Sequence, residues 1–104
     1  MRKNTTKPKV GNKVGAMFVA KGGTVEFLGY GIYEGDFIPE EAAGWMAEGL
    51  RNNKVTNPRI RLDNGKIVYG CECWWGDADR IKKELEKYET VVDVDIDEIR
   101  SKNK

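Results

Sequence analysis

The sequence predicts an α+β fold: a small, strongly bent antiparallel β-sheet or SH3-like barrel of about five strands. Two helices are inserted, in the order β-β-α-β-β-α-β. Three observations carry this expectation. Apolar and polar residues alternate with a period of two in several short runs, as half-buried strands require. Asp63-Asn64-Gly65 lies between two such runs, and Asn and Gly accept the positive φ that tight hairpin turns need. Twelve glycines in 104 residues supply many turns and favour short strands over long helices. A chain of this length holds one domain with a single modest core. An open α+β sheet with both helices on one face is the competing architecture.

Residues 1–13 are polar and hold Arg2, Lys3, Lys7, Lys9 and Lys13 without an acid. They read as a disordered basic arm ahead of a single domain over 14–100 and a tail over 101–104. Gly15 to Ala20 is a short apolar run, a buried strand. Lys21-Gly22-Gly23 turns the chain into a second strand, Thr24 to Tyr33, where Val25 and Phe27 alternate with Thr24 and Glu26. Gly29 and Gly31 in that strand mark a bulge or bend, which lets one strand serve two parts of a small barrel.

Pro39 to Arg51 reads as the first helix. Pro39 suits its first turn, Glu40 and Glu41 complement the dipole there, and Ala42, Met46 and Leu50 make an apolar stripe. After a loop, Asn57 to Leu62 and Ile67 to Trp75 form the hairpin. Ile60 and Leu62 face one way, Arg59 and Arg61 the other. In the second arm Ile67, Tyr69, Cys71 and Cys73 share a face. Asp77 is a suitable N-cap for a helix reaching about Glu89, with Ile81, Leu85 and Tyr88 on one stripe. Thr90 to Ile96 is the last strand, with Val92, Val94 and Ile96 inward. Asp97 to Arg100 adds one more turn.

The chemistry available is narrow. The chain has no histidine, so the commonest general base and metal ligand is missing, and no Ser-His or Cys-His pair forms within it. Cys71 and Cys73, two apart on a strand, stand about 6.6–6.8 Å apart at Cα, the outer limit for a disulfide, and make only half a zinc site. They read as small buried residues, with no metal or cofactor implied. Gly29-Tyr30-Gly31-Ile32-Tyr33-Glu34-Gly35 has its third glycine one place late for a dinucleotide fingerprint and opens no helix. Asp93, Asp95 and Asp97 read as a charged strand edge that blocks aggregation. An enzyme is not expected.

No apolar run approaches the roughly 20 residues that span a membrane, and the basic N-terminus lacks the apolar stretch of a secretory signal. A cytoplasmic protein without a membrane partner is the expectation. The body, 14–98, carries 10 basic and 17 acidic residues, which argues against a globular face that grips nucleic acid. The basic ends leave nucleic-acid contact through the tails open. Nothing in the sequence decides whether the chain forms a homo-oligomer.

Trp74-Trp75 is the most informative pair. Adjacent strand residues point to opposite faces, so both indoles cannot enter one small core. An exposed tryptophan is costly unless it meets a partner. Arg59 and Arg61 share one face of the neighbouring strand, and guanidinium groups beside an indole suit an anion with an aromatic part. Tyr30, Tyr33, Arg59, Arg61, Trp74 and Trp75 are therefore the candidate ligand-binding residues. A structural alternative has Trp75 covering the barrel end and the arginines paired with Glu72 or the aspartates.

Gly70-Cys71-Glu72-Cys73-Trp74-Trp75-Gly76, taken with Gly29 to Asp36 and Asn57 to Asp63, resembles a segment of small uncharacterised bacteriophage-encoded proteins. The resemblance covers roughly 25–98 and brings no catalytic residue with it. It implies an accessory protein in the cytoplasm of an infected bacterial host, of the kind that blocks host defences. The expected function is sequestration of a small anionic, nucleotide-like ligand at the aromatic and arginine residues; the alternatives are docking on a host defence protein and, from the basic tails rather than the resemblance, SH3-like nucleic-acid binding.

Overall fold

Residues 8–40 and 47–102 are described in a computed structural model. The fold is α+β, a mainly antiparallel sheet of six strands with three helices among the described residues. Its centre is one long strand. Strand β1 (Lys13–Lys21) turns at Gly22-Gly23 into β2 (Thr24–Phe37), and the two pair antiparallel from Lys13↔Ile32 to Lys21↔Thr24. The other edge of β2 is shared. Strand β3 (Asn57–Leu62) takes Gly31 to Phe37, antiparallel, and a late strand, Thr90–Asp93, takes Thr24 to Phe27, parallel.

The strand changes neighbours where it bends. Leu28 is an extra residue against β1, between the pairs Ala16↔Gly29 and Met17↔Phe27. Gly29 sits at φ +134°, a backbone conformation that side chains disfavour. Two residues on, Gly31 lies so close to β3 that a Cβ there would run into the Arg61 carbonyl oxygen and come 2.7 Å from Leu62 Cα. The bulge, the bend and the close approach all fall in one Gly-x-Gly segment.

β3 pairs with β4 (Ile67–Tyr69) through the Asp63-Asn64-Gly65 turn, where Gly65 N–H donates to the Leu62 carbonyl at 2.8 Å. Here the expected second hairpin arm is corrected. It stops at Tyr69, a 3₁₀ turn spans Gly70–Glu72, and the chain re-emerges as β5 (Trp74–Asp77), paired with β1 rather than β3. The cause is Glu72. Its carboxylate is buried and accepts from Tyr69 N–H at 3.0 Å and from Arg100 Nε at 2.8 Å and Nη2 at 2.7 Å. A buried carboxylate held this way cannot stay on an outward strand face.

The strand order is β4-β3-β2-β1-β5, with consecutive β4 and β5 at the two ends. Laid flat, five strands put those ends about 19 Å apart at roughly 4.8 Å per strand. The five Cα steps from Tyr69 to Trp74 reach at most about 18 Å extended, and much less through a 3₁₀ turn. The sheet is therefore curled, which favours the bent, SH3-like form over a flat open sheet. Val14, Ala16, Leu28, Tyr33, Ile60, Leu62 and Val68 fill the inside.

Helix α1 (Glu48–Asn52) covers only the last part of the stretch expected as a helix over 39–51: Pro39 and Glu40 are not helical, and Ala42 and Met46 lie outside the described residues. Helix α2 (Ala78–Leu85) starts after Asp77 as expected and ends four residues early. It packs Ile81 onto β1 at Gly15, where a Cβ would stand 2.8 Å from Ile81 Cγ2. The last segment also departs from expectation. β6 (Thr90–Asp93) is short and exposed, and Ile96 turns inward from helix α3 (Ile96–Lys102) instead. Asp95 is the reason: its carboxylate accepts from Glu98 N–H at 3.3 Å, starting a helix where a strand was expected. Asp93, Asp95 and Asp97 consequently do not share one strand face. Ile96 and Ile99 of α3 cover the open end of the interior.

Candidate functional site

The six expected binding residues do not converge on one site. On the β2–β3 face, Glu34 lies between Arg59 and Arg61, accepting from Arg59 Nε at 2.9 Å and from Arg61 Nε at 2.8 Å. The hydrogen bond from Arg61 holds the Glu34 carboxyl below its usual range against the opposing effect of partial burial. Arg59 also stacks over Phe37, 3.7 Å from the ring centre. These arginines already have a carboxylate, supplied by Glu34 rather than by Glu72 or the aspartates. Tyr33 is buried, and its hydroxyl donates to Asp36 Oδ1 at 2.6 Å. Tyr30 makes an edge contact with Phe27 at 4.9 Å.

The tryptophans part at β5, as alternate strand residues must. Trp75 pairs with Ala16, turns toward the interior and meets Tyr33 with ring centres 5.0 Å apart. Its Nε1 would stand 3.0 Å from a Cβ at Gly70. Trp74 pairs with Met17 on the other side and is 73% exposed.

Trp74 and Trp75 both line a groove of about 570 Å³ between β1, β5 and α2. Phe18, Ile81 and Tyr88 add apolar surface, and Arg80 and Glu84 are its charged side chains. Tyr30, Tyr33, Arg59 and Arg61 do not reach it. Arg80 is the residue that the sequence reading missed. Its guanidinium lies over Gly76, where any Cβ would collide with it. Among the described residues Arg80 has no hydrogen bond or ion pair. The available signal was the short step from Gly76 into α2, which folds the helix's first turn back over the strand end.

The groove therefore offers an exposed indole, a second indole and a guanidinium without an ion pair among the described residues. Glu84 on its rim is engaged by Lys87 at 3.1 Å. That combination can stack an aromatic group and hold an anion.

The cysteines offer no comparable chemistry. Cys73 packs on the interior, with its Sγ 3.5 Å from the Tyr69 carbonyl. Burial pushes both thiols up, and the Glu72 carboxylate adds to the rise. Both are protonated thiols at neutral pH, poor as nucleophiles. Among the described residues no three of His, Cys, Asp and Glu cluster in a way that could hold a metal ion. Nor is any described helix long and apolar enough to cross a membrane.

Compared with protein-family models, curated proteins and solved structures, the chain has no match.

Proposed function

We propose that this protein is a non-enzymatic binding module that sequesters a small anionic ligand with an aromatic part, a nucleotide-like molecule. The observation that carries this is the joint lining of one groove by exposed Trp74 and by Arg80, which has no ion pair among the described residues. The ring stacks on Trp74, with Trp75 and Tyr88 alongside, and the anion meets Arg80. A groove of about 570 Å³ has the size of small-ligand sites. The arginine of this reading is Arg80, because Arg59 and Arg61 are held by Glu34. A role in the cytoplasm of an infected bacterium, against a nucleotide signal, is the context in which such sequestration is useful.

Titration with purine and pyrimidine nucleotides, read by tryptophan fluorescence, tests it. Quenching that saturates, and that Trp74→Ala and Arg80→Ala each abolish, is expected. A flat response across the panel overturns the proposal.

A second reading is favoured by the exposed apolar surface of Val19 and Trp74 beside the groove. There, a host defence protein docks on this face. Capture of a defined partner that survives nucleotide removal and is lost in Trp74→Ala supports it. Nucleic-acid binding through the basic tails predicts a steep loss of affinity with salt and dependence on residues 1–13.

A further inference from the structure

Arg80 lines two grooves. Besides the aromatic one, it borders a polar groove of about 630 Å³ with Asn12, Lys13, Asp77, Asp79 and Lys83. Arg80 is the residue that the two linings share. We infer that the two grooves are one site, and that its ligand is a ribonucleotide whose base lies on Trp74 and whose sugar and phosphates cross Arg80 into the polar groove. This rests on the small-ligand reading of the aromatic groove.

The chemistry of the second groove sets the ligand class. Lys83 has no ion pair among the described residues, and Lys13 makes only a loose one, 3.6 Å to Asp63. With Arg80 they give three cationic groups against the carboxylates of Asp77 and Asp79. A bare nucleobase or nucleoside would leave those cations unused. Carboxylates accept hydrogen bonds and donate none, so Asp77 and Asp79 match the hydroxyl donors of a ribose rather than phosphate oxygens. Three cations and two acceptors beside an aromatic groove thus suit a phosphorylated ribonucleoside. They disfavour a purely aromatic anion, which would fill one groove only.

The experiment measures Kd by tryptophan fluorescence for adenosine, AMP, ATP and dATP, and for the guanine series, on the full chain. ATP or GTP is expected to bind at least tenfold more tightly than the nucleoside, and the 2′-deoxy form several-fold more weakly than the ribo form. Lys83→Ala, an exposed position on α2, is expected to erase most of the triphosphate advantage while leaving the nucleoside Kd unchanged. Arg80→Ala is expected to abolish binding of every nucleotide in the series.

Equal affinity for nucleoside and triphosphate, with Lys83→Ala silent, overturns the inference and leaves the aromatic groove as the whole site. Absence of quenching by every compound overturns both the inference and the reading on which it rests. Circular dichroism of Lys83→Ala and Arg80→Ala, expected to match the parent, separates lost binding from lost folding.

Discussion

One carboxylate separates Arg59 and Arg61 from Arg80. Glu34 stands between the first two and accepts from both, whereas Arg80 lies over a glycine and has no ion pair among the described residues. Residue-scale pairing of this kind also sets where stability is concentrated. Glu72 is fully enclosed and Arg100 nearly so, joined by two hydrogen bonds, with a third from Arg100 Nη2 to the Ile67 carbonyl at 2.9 Å. Removing one partner strands a buried charge, at a cost of about 3–5 kcal/mol. Arg100→Ala is therefore expected to lower urea-denaturation stability by about that much, and Glu72→Leu with Arg100→Met to recover most of it. A loss below about 1 kcal/mol for Arg100→Ala would show that the pair is not what anchors the 3₁₀ turn. The two tryptophans should respond in opposite ways. Trp74→Ala, at an exposed position, is expected to change stability by no more than about 0.5 kcal/mol. Trp75→Ala removes a ring packed on the interior and is expected to cost about 3 kcal/mol. The same denaturation curves check both.

At the scale of elements, β2 and α3 organise the rest. β2 bends at Gly29 and presses on β3 at Gly31, where the neighbour is backbone that cannot swing aside. Gly31→Ala is expected to destabilise by about 3 kcal/mol or more, near the upper end for overpacking. A parallel Gly49→Ala in α1, where added atoms meet open space, is expected to be harmless or slightly stabilising. Helix α3 is tied down at its start by Lys66, which pairs with Asp95 and, at 3.1 Å, with Asp97. The hydrogen bond from Lys66 holds the Asp95 carboxyl below its usual range, and the same bond holds the Lys66 ammonium above its own. The signs follow from linkage. Asp95 contributes stability that is present above its unfolded pKa of about 3.9 and is lost as pH falls through its lowered folded value. Lys66 contributes stability that is present below its unfolded pKa of about 10.4 and is lost as pH rises through its raised folded value. Thermal unfolding of Lys66→Met against the parent is expected to show a difference that is flat near neutrality and shrinks at both extremes. A difference independent of pH would remove the ion pair as its source. Both groups are partly exposed, so the effect is expected to weaken in high salt.

For the whole molecule, local patterns were legible and long-range pairings were not. The hairpin turn at Asn64-Gly65, the bulged β2 and the start of α2 at Asp77 are each written in neighbouring residues. That the second hairpin arm would break at Tyr69 depends on Arg100, 28 residues beyond Glu72, and no local period encodes such a partner. Asp95 was read only as an outward strand residue, and the pull of Ile96 and Ile99 toward the interior made it the cap of a helix instead. The site followed the same division. Consecutive tryptophans on a strand announce that one ring faces outward. Which arginine would meet it depends on how a helix folds back, so the local strand alternation pointed to Arg59 and Arg61 while the tertiary arrangement supplied Arg80.

The long central strand has a consequence for motion. Along β2, Thr24 to Phe27 are flanked by β1 and β6, and Gly31 and Ile32 by β1 and β3, so much of the strand lies between two paired neighbours. β6 and the far end of β1 beyond Met17 have a neighbour on one side only among the described residues. Hydrogen–deuterium exchange should accordingly be slowest at Val25–Tyr33, requiring global opening, and faster by local fraying at Phe18–Lys21 and Thr90–Asp93. Phe18, Val19 and Ala20 border the tryptophan groove, so the wall a guest would touch first is the wall that breathes most easily, set against a spine that barely moves.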